Sequence, residues 1–152
     1  MSTVKWGSPE TLQSYLTTQL DALANSTTDT TGFSASGSEI NNEVDKFQYI
    51  DFELFVNTQG VARSTGAFVE IWAEVAVDNT PTYPDRANLA FTSGLVTSIQ
   101  LDAAVTARRL TLANIPIPPY KTKFYVRNGT GQAFGASGST LKYRRHNEDI
   151  IT

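Results

Sequence analysis

The chain carries one histidine, His146, and no cysteine. A Ser-His-Asp triad would have to use that imidazole as its base. No GxSxG elbow accompanies it, and it sits between Arg145 and Asn147. It is therefore expected to be an ordinary surface histidine without a catalytic role. Without cysteine, thiol catalysis, Cys-ligated zinc and iron–sulfur clusters are excluded. Paired carboxylates are the remaining acid–base option. On a strand, Asp51 and Glu53 would share a face at roughly 7 Å, and Glu70 and Glu74 would lie roughly 13 Å apart with Trp72 between them. Glycoside hydrolysis uses carboxyl groups roughly 5–9.5 Å apart. Alternating acids on the wet side of a strand are also ordinary solubilising residues, and nothing marks a cleft. Asp78, Asn79 and Asp85 offer oxygen ligands in one loop, but their spacing is not that of an EF-hand, and Asp and Asn are common turn residues. No catalytic residue, metal site or cofactor is expected.

Two arginine pairs, Arg108-Arg109 and Arg144-Arg145, are candidates for recognition. Guanidinium forks bind carboxylates bidentately and are enriched at interfaces. Adjacent strand residues point to opposite faces, so at most one of each pair can join a given patch.

These residues need elements to hold them. The stretch Ile99–Gly131 reads as a long strand, a corner stiffened by Pro116, Pro118 and Pro119, a second strand and a turn at Asn128-Gly129. Apolar residues fall on odd positions from Ile99 to Ala107 and on even ones at Leu110 and Leu112, a phase change that predicts a bulge or bend at Arg108-Arg109. Proline cannot donate to a ladder, so the corner belongs at an edge. Two further strands are expected over Lys46–Asn57 and Gly66–Asp78, with Trp72 on the nominally wet face of the second, and a short one over Leu141–His146. Ser8-Pro9-Glu10 reads as a helix start. Leu12, Tyr15, Leu16, Leu20 and Leu23 then make a stripe at helical spacing. Residues 25–38 and 78–95 read as loops.

At 152 residues one folded unit is the natural size. The expected fold is mainly β: an antiparallel β-sandwich of jelly-roll type with one N-terminal α-helix, because strands follow one another without helices between them. Residues 1–38 form an arm, a helix and a Ser/Thr-rich linker, and residues 39–152 form the sandwich. The formal charge is −3, from 12 basic and 15 acidic residues, so there is no basic excess to hold nucleic acid. No run of about 18 apolar residues is present, and no membrane-spanning helix is expected.

Several segments together resemble small structural proteins of tailed bacteriophages. They are Val4-Lys5-Trp6 with Ser8–Leu12 and Leu20–Asn25; Tyr49–Leu54; Val69–Trp72 with the loop around Tyr83-Pro84-Asp85; and Ile115–Phe124 running into Asn128–Gly131. The resemblance implies a virion protein, a decoration (cement) protein on the outside of the capsid. Such a protein would bind the major capsid protein, assemble as a dimer or trimer and need no cofactor, nucleic acid or membrane. Trp6, Phe68, Trp72, Arg108, Arg109 and Tyr120 are the expected contact residues, since aromatic and arginine side chains anchor interfaces. A tail- or head-fibre-associated carbohydrate-binding module, with Trp72, Tyr83 and Tyr143 as sugar platforms, is the alternative.

Overall fold

The computed structural model describes residues 3–25, 35–36, 38–76 and 94–151. Two antiparallel sheets pack face to face. The first runs in the order β2 (Gln13–Leu16), β10 (Thr140–His146), β5 (Tyr49–Val56), β8 (Arg108–Pro116). The second runs β3 (Ala35–Ser36), β9 (Lys121–Gly129), β6 (Phe68–Ala76), β7 (Leu95–Gln100), with β4 (Ile40–Asn41) also paired to β9. A separate two-stranded ribbon joins β1 (Thr3–Trp6) to β11 (Glu148–Ile151).

Alternation dictates the layers. In β5, Ile50, Phe52, Leu54 and Val56 are buried. They face Val69 and Ile71 of β6 and Phe124 and Val126 of β9 in one apolar core. The Phe52 and Phe124 rings meet edge-to-face at 4.8 Å, the geometry favoured by their quadrupoles. The alternating positions Tyr49, Asp51, Glu53 and Phe55 point to the outer surface of the first sheet. The expected strands at Tyr49–Val56, Phe68–Ala76 and Thr140–His146 are present within a few residues of their predicted limits. Pro116 ends β8, an edge strand, and the Pro-rich corner carries the chain from the first sheet to the second.

The N-terminal α-helix is absent. Residues 7–12 have no regular secondary structure, β2 follows, and a single 3-10 turn covers Thr18–Leu20. Leu16, Leu20 and Leu23 are buried as the stripe requires, but Leu12 is 48% exposed. The hydroxyl-rich sequence between the leucines is a poor helix former, and the edge of β10 offers backbone partners instead. Glu10 N–H donates to Arg145 C=O at 2.9 Å, and Gln13–Leu16 pairs with β10. Tyr15 is an extra residue in that pairing. Its ring crosses to the second sheet, where the hydroxyl accepts from Phe124 N–H at 2.8 Å and donates to Phe124 C=O. β3 pairs β9 at Tyr125 and Val126, and β4 pairs it at Lys121 and Thr122. Tyr15 therefore satisfies the backbone left between them. Burial drives its phenol well above the usual tyrosine range. Because Leu12 is exposed, Leu12→Ser should change the urea-unfolding free energy by less than about 0.5 kcal/mol, whereas a helical stripe would lose a core contact.

The long strand expected through Arg108 is also two elements. β7 ends at Gln100 in the second sheet, residues 101–107 are irregular, and β8 begins at Arg108 in the first. The phase change marks a crossing between sheets, not a bulge at the arginine pair. The bulge in β8 lies at Ala113-Asn114, which together oppose Asp51, and Asn114 there has φ 59°. Asn128-Gly129, expected as a turn, completes β9. Asn128 is buried there: its Nδ2 donates to Leu23 C=O and Gln132 C=O, and its Oδ1 accepts from Thr130 N–H. The chain turns afterwards at Gly131, whose φ of +80° suits glycine. A Cβ there would also strike the Ser64 side chain.

Candidate functional site

The bulge in β8 shapes a cavity on the outer face of the first sheet. Two residues against one locally re-aim the backbone, and the Asn114 N–H turns onto the Asp51 carboxylate at 2.9 Å. Arg144 is the direct cross-strand partner of Asp51, and His146 that of Tyr49. Arg144 Nε donates to Asp51 Oδ2 at 2.9 Å, and His146 Nε2 meets Asp51 Oδ1 at 3.1 Å. The imidazole stacks on Tyr49 with ring centres 5.5 Å apart. The cavity, about 270 Å³, lies between this group, Ala113, and Gly7 and Pro9 of the N-terminal segment. A second one, of about 210 Å³, shares Asp51 and Arg144 and extends to Leu12, Glu53 and Thr111.

His146 is thus not a surface histidine: it is 5% exposed. A histidine oriented by an aspartate is half of a triad, but here the aspartate is shared with Arg144 and a backbone amide. The arrangement fixes the Arg144 guanidinium. Burial alone would raise the Asp51 carboxyl, but the Asn114 amide, Arg144 and His146 outweigh it and hold it below the usual carboxylate range. A depressed folded-state value stabilises the fold fully above the unfolded value of about 4 and loses that contribution as pH falls through the folded one. The stability difference between the wild type and Asp51→Asn, measured by urea unfolding, should therefore shrink as pH falls below about 4.

The other carboxylates considered for chemistry are engaged. Glu53 pairs with Arg109 at 2.6 Å. Glu70 accepts from Arg127 and from Trp72 Nε1, both at 3.0 Å. Glu74 accepts from the Tyr125 hydroxyl at 2.6 Å. Asp78, Asn79, Tyr83 and Asp85 lie outside the described residues. Among the described residues, no group of three His, Cys, Asp or Glu side chains is arranged to hold a metal ion.

The expected contact residues do not form one patch. Phe68 and Trp72 lie on the outer face of the second sheet, Phe68 against Gly129. Trp72 is 5% exposed, so the wet position predicted for it is a buried one. Arg109 is on the opposite surface, over the Phe55 ring. Arg108 is turned away from it, paired to Asp102. Tyr120 is half-buried before β9, its carbonyl accepting from Asn42 N–H. Trp6 is in the β1–β11 ribbon, in register with Glu148. Of the platforms expected for sugar, Trp72 is buried, and Tyr143 packs edge-on against Tyr15 while its hydroxyl donates to Gln13. As the pairing rule required, Arg144 and Arg145 part company. Arg144 joins the outer face, while Arg145 is buried and bound to Glu10, Asp45 and Asn41 C=O.

Two residues of structural weight had no local signal. Arg63 sits in the irregular connection between β5 and β6 with its side chain fully buried, and its fork holds the 101–107 segment. Arg144, readable in sequence only as one of a pair, becomes the exposed cation of the cavity. Comparison with known proteins finds no family model that matches the chain and no curated protein that matches it.

Proposed function

We propose that the chain is a non-enzymatic virion structural protein of jelly-roll type. It binds the outside of a tailed-phage capsid through the major capsid protein and stabilises contacts between capsomers as a homo-oligomer. The observation that supports it most is the strand order. β2 pairs β10, β3 and β4 pair β9, β5 pairs β8, and β6 pairs β7. Counting β3 and β4 as one interrupted strand, these are four successive antiparallel ribbons that alternate between the sheets. β10–β5 and β9–β6 then close each sheet. This pairing supports the jelly-roll reading, an architecture used by viral capsid proteins, lectins and cupins. The architecture does not fix function. Within those three, a lectin role gains nothing from a buried Trp72 and a packed Tyr143, and the phage resemblance tilts toward the virion.

The β1–β11 ribbon also fits an assembling protein. It lies off both sheets, and a two-stranded ribbon alone is marginally stable. Docking on a neighbouring subunit would stabilise such a ribbon. The test is light scattering of the purified protein, followed by its addition to phage particles that lack it. A symmetric dimer or trimer that re-coats the particles and raises their heat resistance is expected. A monomer that ignores capsids would overturn the proposal and send the protein to a glycan screen.

A further inference from the structure

Arg144 stands between the two cavities on the outer face of the first sheet and lines both. Its inner edge is fixed, because Nε is bonded to Asp51, and Asp51 is itself held by the Asn114 amide and His146. Its outer edge is open. The side chain is 47% exposed, and among the described residues neither Nη atom has an acceptor. Lys142 lies on the same face one strand step away, in register with Glu53, which is paired to Arg109. The patch therefore holds one cation more than its two carboxylates, on a chain whose formal charge is −3. Around the open fork are the exposed Leu12 and the bulge residues Ala113 and Asn114.

We infer that Arg144, pre-oriented by Asp51 and His146, binds a carboxylate in this double cavity. A guanidinium presents paired N–H donors in the plane and spacing of a carboxylate. Holding one edge on Asp51 fixes that plane before the ligand arrives, so less freedom is lost on binding. A single open fork with an excess of one positive charge suits a singly charged, planar group better than a phosphate dianion. Leu12 and Ala113 suit a short apolar stem behind it. A free organic acid and a glutamate or aspartate side chain of a partner protein carry the same group. The site does not depend on the virion reading.

His146 supplies the reporter, since it is the sole histidine and touches the aspartate that holds Arg144. Its ring resonances would be followed by NMR during titration with acetate, with succinate, with glutamate blocked at both ends, and with inorganic phosphate. Saturable shifts with carboxylates, at lower concentration than with phosphate, are expected. Arg144→Gln should weaken the response roughly ten- to hundredfold, the loss expected for a hydrogen-bonded charge. Arg144→Lys, which keeps charge without the fork, should also bind less well than the wild type. Lys123→Gln, on the opposite sheet, should bind as the wild type does. Tighter binding of blocked glutamate than of the free acids would assign a partner's side chain, and the reverse order would assign a small acid. No saturable shift with any carboxylate, an equal or stronger response to phosphate, or an unaltered response in a folded Arg144→Gln protein would each overturn the site.

Discussion

Replacing Arg63 by leucine is expected to destabilise the protein by about 3 kcal/mol, the low end for breaking a buried ion pair. The Arg63 side chain is fully buried, while its partner Asp102 is about half exposed. Its Nη1 donates to Asp102 at 3.1 Å and to Ala104 C=O at 2.7 Å, and its Nη2 donates to Thr106 C=O at 2.8 Å. Gln59 N–H donates to the intervening Val105 C=O at 3.0 Å. One cation thus organises the segment that carries the chain from β7 to β8. Burial pulls the Arg63 guanidinium below its ordinary value while Asp102 opposes the shift. A guanidinium nevertheless stays protonated in proteins. Leucine would fill much of the space but leave the acceptors without their donor, and Asp102 would recover part of its loss from water. Thermal unfolding should fall by roughly 6–12 °C for a protein of this size, and amide exchange should accelerate over 101–107. A loss below about 1 kcal/mol would mean that the segment is held by its other bonds.

Arg145→Met should cost a similar amount, about 3 kcal/mol, and loosen a different part. Both Arg145 Nε and Nη2 donate to the Glu10 carboxylate at 2.8 Å, Nη1 donates to Asn41 C=O at 2.9 Å, and the guanidinium lies 4.6 Å from the Phe47 ring centre. Bidentate, partly desolvated pairs are stronger than surface ones. Methionine keeps much of the apolar stem, so the loss reports the charged head. Removing it should release residues 7–12 from the edge of β10, read as faster limited proteolysis there. In a double-mutant cycle with Glu10→Gln, a coupling of about 1–3 kcal/mol is expected. A coupling near zero would assign the stability to packing alone.

The sandwich strands were legible because their cause is local. A half-buried strand repeats every two residues, and Tyr49–Val56 and Phe68–Ala76 show that period directly. The position of the Pro-rich corner was equally local, since proline lacks the donor a central strand needs. The leucines after Ser8 were not decisive, because intervals of three and four residues bury leucines on a helix or, as here, through a strand and a tight turn. The choice belonged to β10, whose free edge paired with Gln13–Leu16 and whose Arg145 captured Glu10, 135 residues away in sequence. Separation in sequence also concealed the cavity. Asp51, Asn114, Arg144 and His146 come from three strands, and their convergence depends on cross-strand register and on one bulge.

The sequence by itself determined a strand-rich chain, closed thiol chemistry to it and placed neighbouring arginines on opposite faces, because composition and strand period act without partners. The tertiary structure alone decided that Gln13–Leu16 joins a sheet, that His146 and Trp72 are buried, that Arg63 is a core cation and that Arg144 keeps an open fork. Each of those depends on hydrogen bonds or burial supplied by residues distant in the chain.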